Sequence, residues 1–141
     1  MPMTKLERFM AAIRGEDVDR LPVSVWLHFA SEHLPGDETA QLHLSFMREY
    51  DWDYLKLMND YRYQLPGVPA VTSEAHLRRF EPLPMSEPTF AQQLTCLKTL
   101  RAALGPGTPM IETLFNPLQT LVRGSGANAQ RLVFEHPDAG R

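Results

Sequence analysis

Asn59 and Asp60 close the run DYLKLMND at residues 53–60, setting an amide beside a carboxylate at the end of a short apolar stretch. In strand geometry Tyr54, Lys56, Met58 and Asp60 share one face, and Leu55, Leu57 and Asn59 share the other. Lys56 then has two readings: a half-exposed strand keeps the leucines inside and the ammonium in water, whereas a lysine facing a packed interior needs a compensating carboxylate. A second acidic candidate, Glu112, lies inside the apolar run TPMIETLF, with Asn116 just beyond it. A buried Glu112 needs a partner to remain charged. His28 and His33 are five residues apart, which matches no standard metal-ligand spacing if residues 27–29 form a strand. No metal is expected.

The composition limits what these groups can serve. Hydrophobic residues make up 43% of the 141 and charged residues 22%, enough apolar material for one modest core and too balanced for a charge-driven disordered chain. With 14 Lys+Arg scattered among 17 Asp+Glu and a net charge of -3, no basic stripe offers itself to nucleic acid or to an anionic membrane. There is no apolar run of about 18 residues and no signal-peptide core, so a cytoplasmic chain is the default expectation. Cys96 has no second cysteine to pair with and falls on a helix stripe, where it reads as packing. No GxGxxG follows a strand and no GxxxxGK[ST] is present, so no nucleotide cofactor is expected, and GSG at 124–126 reads as a loop.

The elements that must position the candidates alternate along the chain. Thr4 and Glu7 form a capping box before the stripe Leu6, Phe9, Met10 and Ile13, and Gly15 stops that helix. Pro22 then leads into a β-rich stretch, Val23 to Phe29, taken as strand one. Residues 38–50 are partly helix-compatible, and strand two is the opening run. Prolines 66, 69, 82 and 84 argue against a long helix in residues 61–85, with one short strand expected around Leu77 to Phe80. SEPTFAQQLTCLKTLRAALGPG is the clearest helix, TPMIETLF is strand three, and Pro117 starts a further helix, followed by a short one around Leu132 to Phe134. Helix–strand alternation of this kind predicts parallel βα units, in an open sheet or a closed barrel.

RFMAAIRGEDVDRLPV, VWLHFASEHLP, DWDYLKLMND, TLFNPLQTLVRG and FEHPDAGR together resemble the uroporphyrinogen decarboxylase superfamily, which includes the decarboxylase and related cobalamin-dependent and cobalamin-independent methyltransferases. The resemblance spans nearly the whole chain but only the first part of a typical member. It implies an α/β fold, the N-terminal portion of a (β/α)8 TIM barrel with an N-terminal helix and about three βα units over residues 1–141. A barrel needs about 250 residues, so it would be incomplete in this chain. In such barrels the site lies at the carboxyl ends of the strands. The resemblance therefore implies Asp60 as the catalytic carboxylate, like the aspartate that accepts hydrogen bonds from pyrrole N–H groups in the decarboxylase. His28, His33, Asn59, Glu112 and Asn116 are the candidate substrate-binding residues, and a barrel would allow Lys56 to face its interior if paired with a carboxylate there.

The chain departs from the decarboxylase at residues 27–35. Where that enzyme has a MRQAGRYLP-type motif, LHFASEHLP puts His28 and Glu32 in the places of the arginines. A polycarboxylate loses its bidentate anchors there, which favours the divergent, methyltransferase-like part of the superfamily. The zinc-binding His and Cys positions of the methyltransferases lie beyond the residues present. The expected partners are a small-molecule substrate in a full-length form and either the missing barrel half or further copies of the chain. The alternative is a non-catalytic half barrel that self-associates. The chain alone should show no uroporphyrinogen decarboxylation. An anaerobic assay with freshly reduced substrate tests this, and turnover above the uncatalysed rate would contradict it.

Overall fold

The computed structural model describes residues 2–62, 68 and 70–139; prolines 66 and 69 lie outside them. Among these residues are six helices and a two-stranded parallel sheet that is not closed into a barrel. The chain falls into two compact units, residues 1–60 with 91–113, and residues 61–90 with 114–141. Among the described residues no helix is long and apolar enough to cross a membrane.

In the first unit, α1 (Lys5–Arg14) begins at the expected capping box: Thr4 Oγ1 accepts from the Glu7 amide at 3.2 Å, and Glu7 Oε2 accepts from the Thr4 amide at 2.8 Å. It stops at Gly15, whose φ of 70° suits a residue without a Cβ. α2 (Gly36–Glu49) carries Ala40, His43, Leu44 and Met47 on its buried stripe. β1 (Leu55–Leu57) pairs in parallel with β2 (Met110–Glu112), Leu55 beside Met110 and Leu57 beside Glu112. Helix α4 (Pro88–Leu104) delivers Cys96 and Leu100 to a core shared with Ala40, Leu44, Met47, Leu55 and Leu57. Cys96 is thus fully buried packing, its thiol pushed up to about 12 by burial and then by the charge of Glu112. The start of α2 lies so close to α4 that a Cβ on Gly36 would stand 2.1 Å from the Gln92 carbonyl oxygen, so only glycine fits.

Strand one does not form. Residues 21–30 join no ladder, although the Asp53 amide donates to the Val23 carbonyl at 2.9 Å. Val23, Val25 and Leu27 are 48%, 46% and 37% exposed. β-propensity expresses packing on a covered, pleated surface, and here that cover is missing.

Asp53, fully buried, ties this unit together. Its Oδ1 accepts from Arg8 Nη1 at 2.7 Å and Arg20 Nη2 at 2.8 Å, and its Oδ2 from Arg20 Nη1 at 2.5 Å and the Val23 amide at 2.8 Å. Arg8 also grips Asp19 through Nε at 2.7 Å and Nη2 at 2.9 Å, in the bidentate fork a planar guanidinium allows. The run RFMAAIRGEDVDRLPV is therefore a charge network as well as a helix and turn.

In the second unit, α3 (Glu74–Leu77), α5 (Pro117–Ser125) and α6 (Ala127–Glu135) pack around Val71, Leu77, Ala129 and Leu132. The short strand expected around Leu77 to Phe80 is instead the end of α3 and a turn. Ser73 Oγ accepts from the His76 amide at 3.3 Å and Glu74 pairs with Arg78, so local capping wins where no strand neighbour is supplied. GSG is a helix junction, with α5 reaching Ser125 and Gly126 at φ 82° turning the chain into α6.

Replacing Asp53 with Asn puts an amide donor against guanidinium donors, so Asp53→Asn should cost at least about 2 kcal/mol in urea unfolding, as expected when one partner of a buried ion pair is removed. For Asp53, burial raises the carboxyl, but Arg20, the Val23 amide and Arg8 outweigh it and leave it below its ordinary value; Arg8 holds Asp19 low as well. This stabilisation is present above the unfolded carboxyl value of about 3.9 and is lost as pH falls below it. Unfolding midpoints within error of the parent at pH 7 would contradict the assignment.

Candidate functional site

Just past β1, Asp60 is buried, 6% of its side chain exposed, within the segment 28–31. Its Oδ1 lies 2.6 Å from His28 Nδ1, and its Oδ2 accepts from the Phe29 amide at 3.0 Å and from the Ser31 amide and hydroxyl at 3.4 Å each. Ala30, between those two amides, is left-handed at φ 53°, uncommon for a residue with a Cβ. That kink lets successive amides converge on one oxygen, the arrangement by which backbone turns cradle anions. Burial raises the Asp60 carboxyl, and His28 together with the Ser31 and Phe29 amides more than offsets it, so the group stays below its ordinary value and ionised at neutral pH.

The pair has an outer and an inner side. His28 is 46% exposed and meets Trp26 edge-on at 5.6 Å. His43, on the buried stripe of α2, packs edge-on to Phe29 at 4.8 Å, and its Nε2 has no hydrogen-bond partner among the described residues. Burial pushes His43 down to about 4, partly offset by the negative charge of Asp60. A buried ionised carboxylate with a half-exposed imidazole bonded to it can hold and move a proton, while His43 stays a neutral buried neighbour outside that hydrogen bond; among the described residues no group of three or more His, Cys, Asp or Glu is arranged to hold a metal.

Of the residues picked from the sequence, the structure brings Asp60 and His28 together. Asn59 is buried beside them in the chain, and His33 is exposed on the turn before α2. Glu112 shares the helix-covered face with Leu57: its Oε1 accepts from Gln93 Nε2 of α4 at 2.9 Å, while Oε2 is buried without a partner among the described residues. Burial raises Glu112 to about 7, against the opposing effects of Gln93 and the Lys56 charge. Lys56 is half-buried and donates to Thr113 Oγ1, so its direct partner is a hydroxyl. Asn116 caps α5, its Oδ1 accepting from the Gln119 amide at 2.8 Å. Sequence reasoning missed Ser31 and His43. His43 had a signal: it falls at the apolar spacing of Ala40, Leu44 and Met47, where a polar ring must be buried.

The second unit holds a cavity of about 470 Å³ lined by Leu77, Phe80, Leu118, Leu121 and Val133, with Glu81 as its acidic group. It is an apolar hollow without a convergent set of polar groups, so the Asp60 cluster is the better candidate. Comparison with family models, curated proteins and solved structures returned no match for this chain.

His43 and Glu112 should give stability opposite pH limbs. A histidine held neutral contributes fully above its unfolded value of about 6.5, and loses about 3 kcal/mol as pH falls toward 4. A carboxyl raised to about 7 contributes fully below about 4.5, and that contribution is lost as pH rises through 7. His43→Leu should flatten the acid limb, and Glu112→Gln should stabilise the chain at pH 8 while changing it little at pH 4.5. Urea midpoints across this range check both, and parallel curves for parent and variants would contradict the placements.

Proposed function

We propose that this chain is the N-terminal portion of a barrel enzyme like those of the uroporphyrinogen decarboxylase superfamily. Its full-length form would act on a small molecule by lyase or methyl-transfer chemistry, and the chain alone would be inactive. The observation that supports this most is the buried, ionised Asp60 at the carboxyl end of a parallel strand, where parallel α/β folds place their reacting groups. Asp53 and Asp60 add to it. They contact Val23 and Phe29 in the same chain order, so residues 23–29 run alongside β1 in the parallel sense a further barrel strand would take. His28, where the decarboxylase resemblance has an arginine, offers no guanidinium fork, which suits a substrate without the many carboxylates of a uroporphyrinogen.

A self-associating half barrel without catalysis is the second reading. It is favoured by the exposure of Leu21 (75%), Val23, Val25 and Trp26 (52%) along an uncovered segment. Both readings expect the purified chain to associate or to lack cooperative unfolding. Light scattering on a size-exclusion column measures this, and a sharp monomer peak that unfolds cooperatively would overturn both. Co-expression with a chain carrying the remaining βα units separates them: the first expects a soluble complex that binds a small molecule, the second a homo-oligomer that ignores the added chain.

A further inference from the structure

Asp60 has no oxygen to spare for a ligand. Oδ1 is engaged by His28 and Oδ2 by two amides and a hydroxyl, and the side chain is almost wholly covered. The solvent side of the pair is the imidazole. We infer that the group this site presents to a bound molecule is Nε2 of His28, that Asp60 is its positioning residue, and that the ligand is an uncharged, largely apolar molecule carrying one weakly acidic hydroxyl of the phenol class. This deepens the reading of the Asp60 cluster as the functional site and rests on it.

An ionised carboxylate only accepts hydrogen bonds, so the Nδ1 that faces it must carry the ring proton. A ring whose single proton sits on Nδ1 carries its lone pair on Nε2, which has no partner among the described residues. Such a nitrogen accepts a hydrogen bond or takes a proton from an O–H group. The O–H bond pair stays on the ligand oxygen, the proton goes to Nε2, and Asp60 holds the resulting imidazolium until the proton returns. Apolar character follows from Trp26, 52% exposed and edge-on to the His28 ring. An anionic ligand is disfavoured because the charge behind the imidazole is negative and residues 27–35 hold no guanidinium.

Long-range nitrogen–proton spectra of the histidine side chains in the intact chain should show His28 with a protonated Nδ1 and a bare Nε2 at pH 8. Diethyl pyrocarbonate should acylate His28 at least about tenfold faster than buried His43. In Asp60→Asn the tautomer preference should be lost and the acylation rate should fall severalfold, a change that a purely structural carboxylate would not impose on a folded chain. Phenol itself is the ligand probe: it should shift the His28 ring carbon–proton signal in a saturable way, and His28→Gln should weaken that binding by at least about tenfold. His28 is half exposed, so its variant should fold. If Asp60→Asn does not fold, the parent spectrum decides: a protonated Nε2 on His28 overturns the inference, as does phenol binding unchanged in His28→Gln. Either result leaves the barrel reading standing, since that reading depends on association and complementation, and a cooperatively unfolding monomer would remove the barrel reading while leaving the tautomer intact.

Discussion

The carboxylate of Asp53 is the tie on which the first unit depends. A charge buried this fully is tolerated only when compensated and hydrogen-bonded, and Arg8, Arg20 and the Val23 amide use both oxygens. Those donors come from α1 and from the turn leading into residue 23, so one carboxylate sets the helix, the turn and the start of β1 relative to each other. Asp19 extends the network by taking the rest of the Arg8 guanidinium and the Met3 amide. Because guanidinium and carboxylate are each costly to bury alone, the parts of this network stand or fall together.

Asp60 repeats the device at the other end of β1 with different donors. Two backbone amides, a hydroxyl and an imidazole replace the guanidiniums, and the left-handed Ala30 brings the amides into range. The two aspartates hold residues 23–29 beside β1 without a ladder, so charge contacts position a segment whose apolar side chains remain uncovered. The same substitution of donors gives the site its character. Arginines around Asp60 would make a fixed cationic anchor, whereas His28 can exchange a proton and stays reachable from solvent.

The first unit buries two titratable groups of opposite habit. His43 lies by Asp60 and is kept neutral by burial, while Glu112 lies under α4 beside Cys96 and Gln93 and holds its proton more tightly than an ordinary carboxyl. Glu112 is therefore tied to the helix–sheet interface, with Lys56 and Thr113 as a neighbouring polar pair.

Much of the local structure was legible in the sequence. The Thr4–Glu7 box, the stop at Gly15, the stripe of α4 that buries Cys96, Pro117 at a helix start and the parallel sense of β1 and β2 were all readable, because caps and periodicity are decided within a turn or two of the chain. The placement of Asp60 at the end of a strand was readable for the same reason. Its pairing with His28 across 32 residues was not, nor was that of Asp53 with Arg8 across 45. Strand one failed as an expectation because strand formation needs a covered face and a partner edge, neither of which is a property of the residues themselves. Sequence determined which side chains were available and the local shape of the segments that carry them. Tertiary structure alone decided which buried charge met which donor, because that choice depends on desolvation and on contacts between segments far apart in the chain.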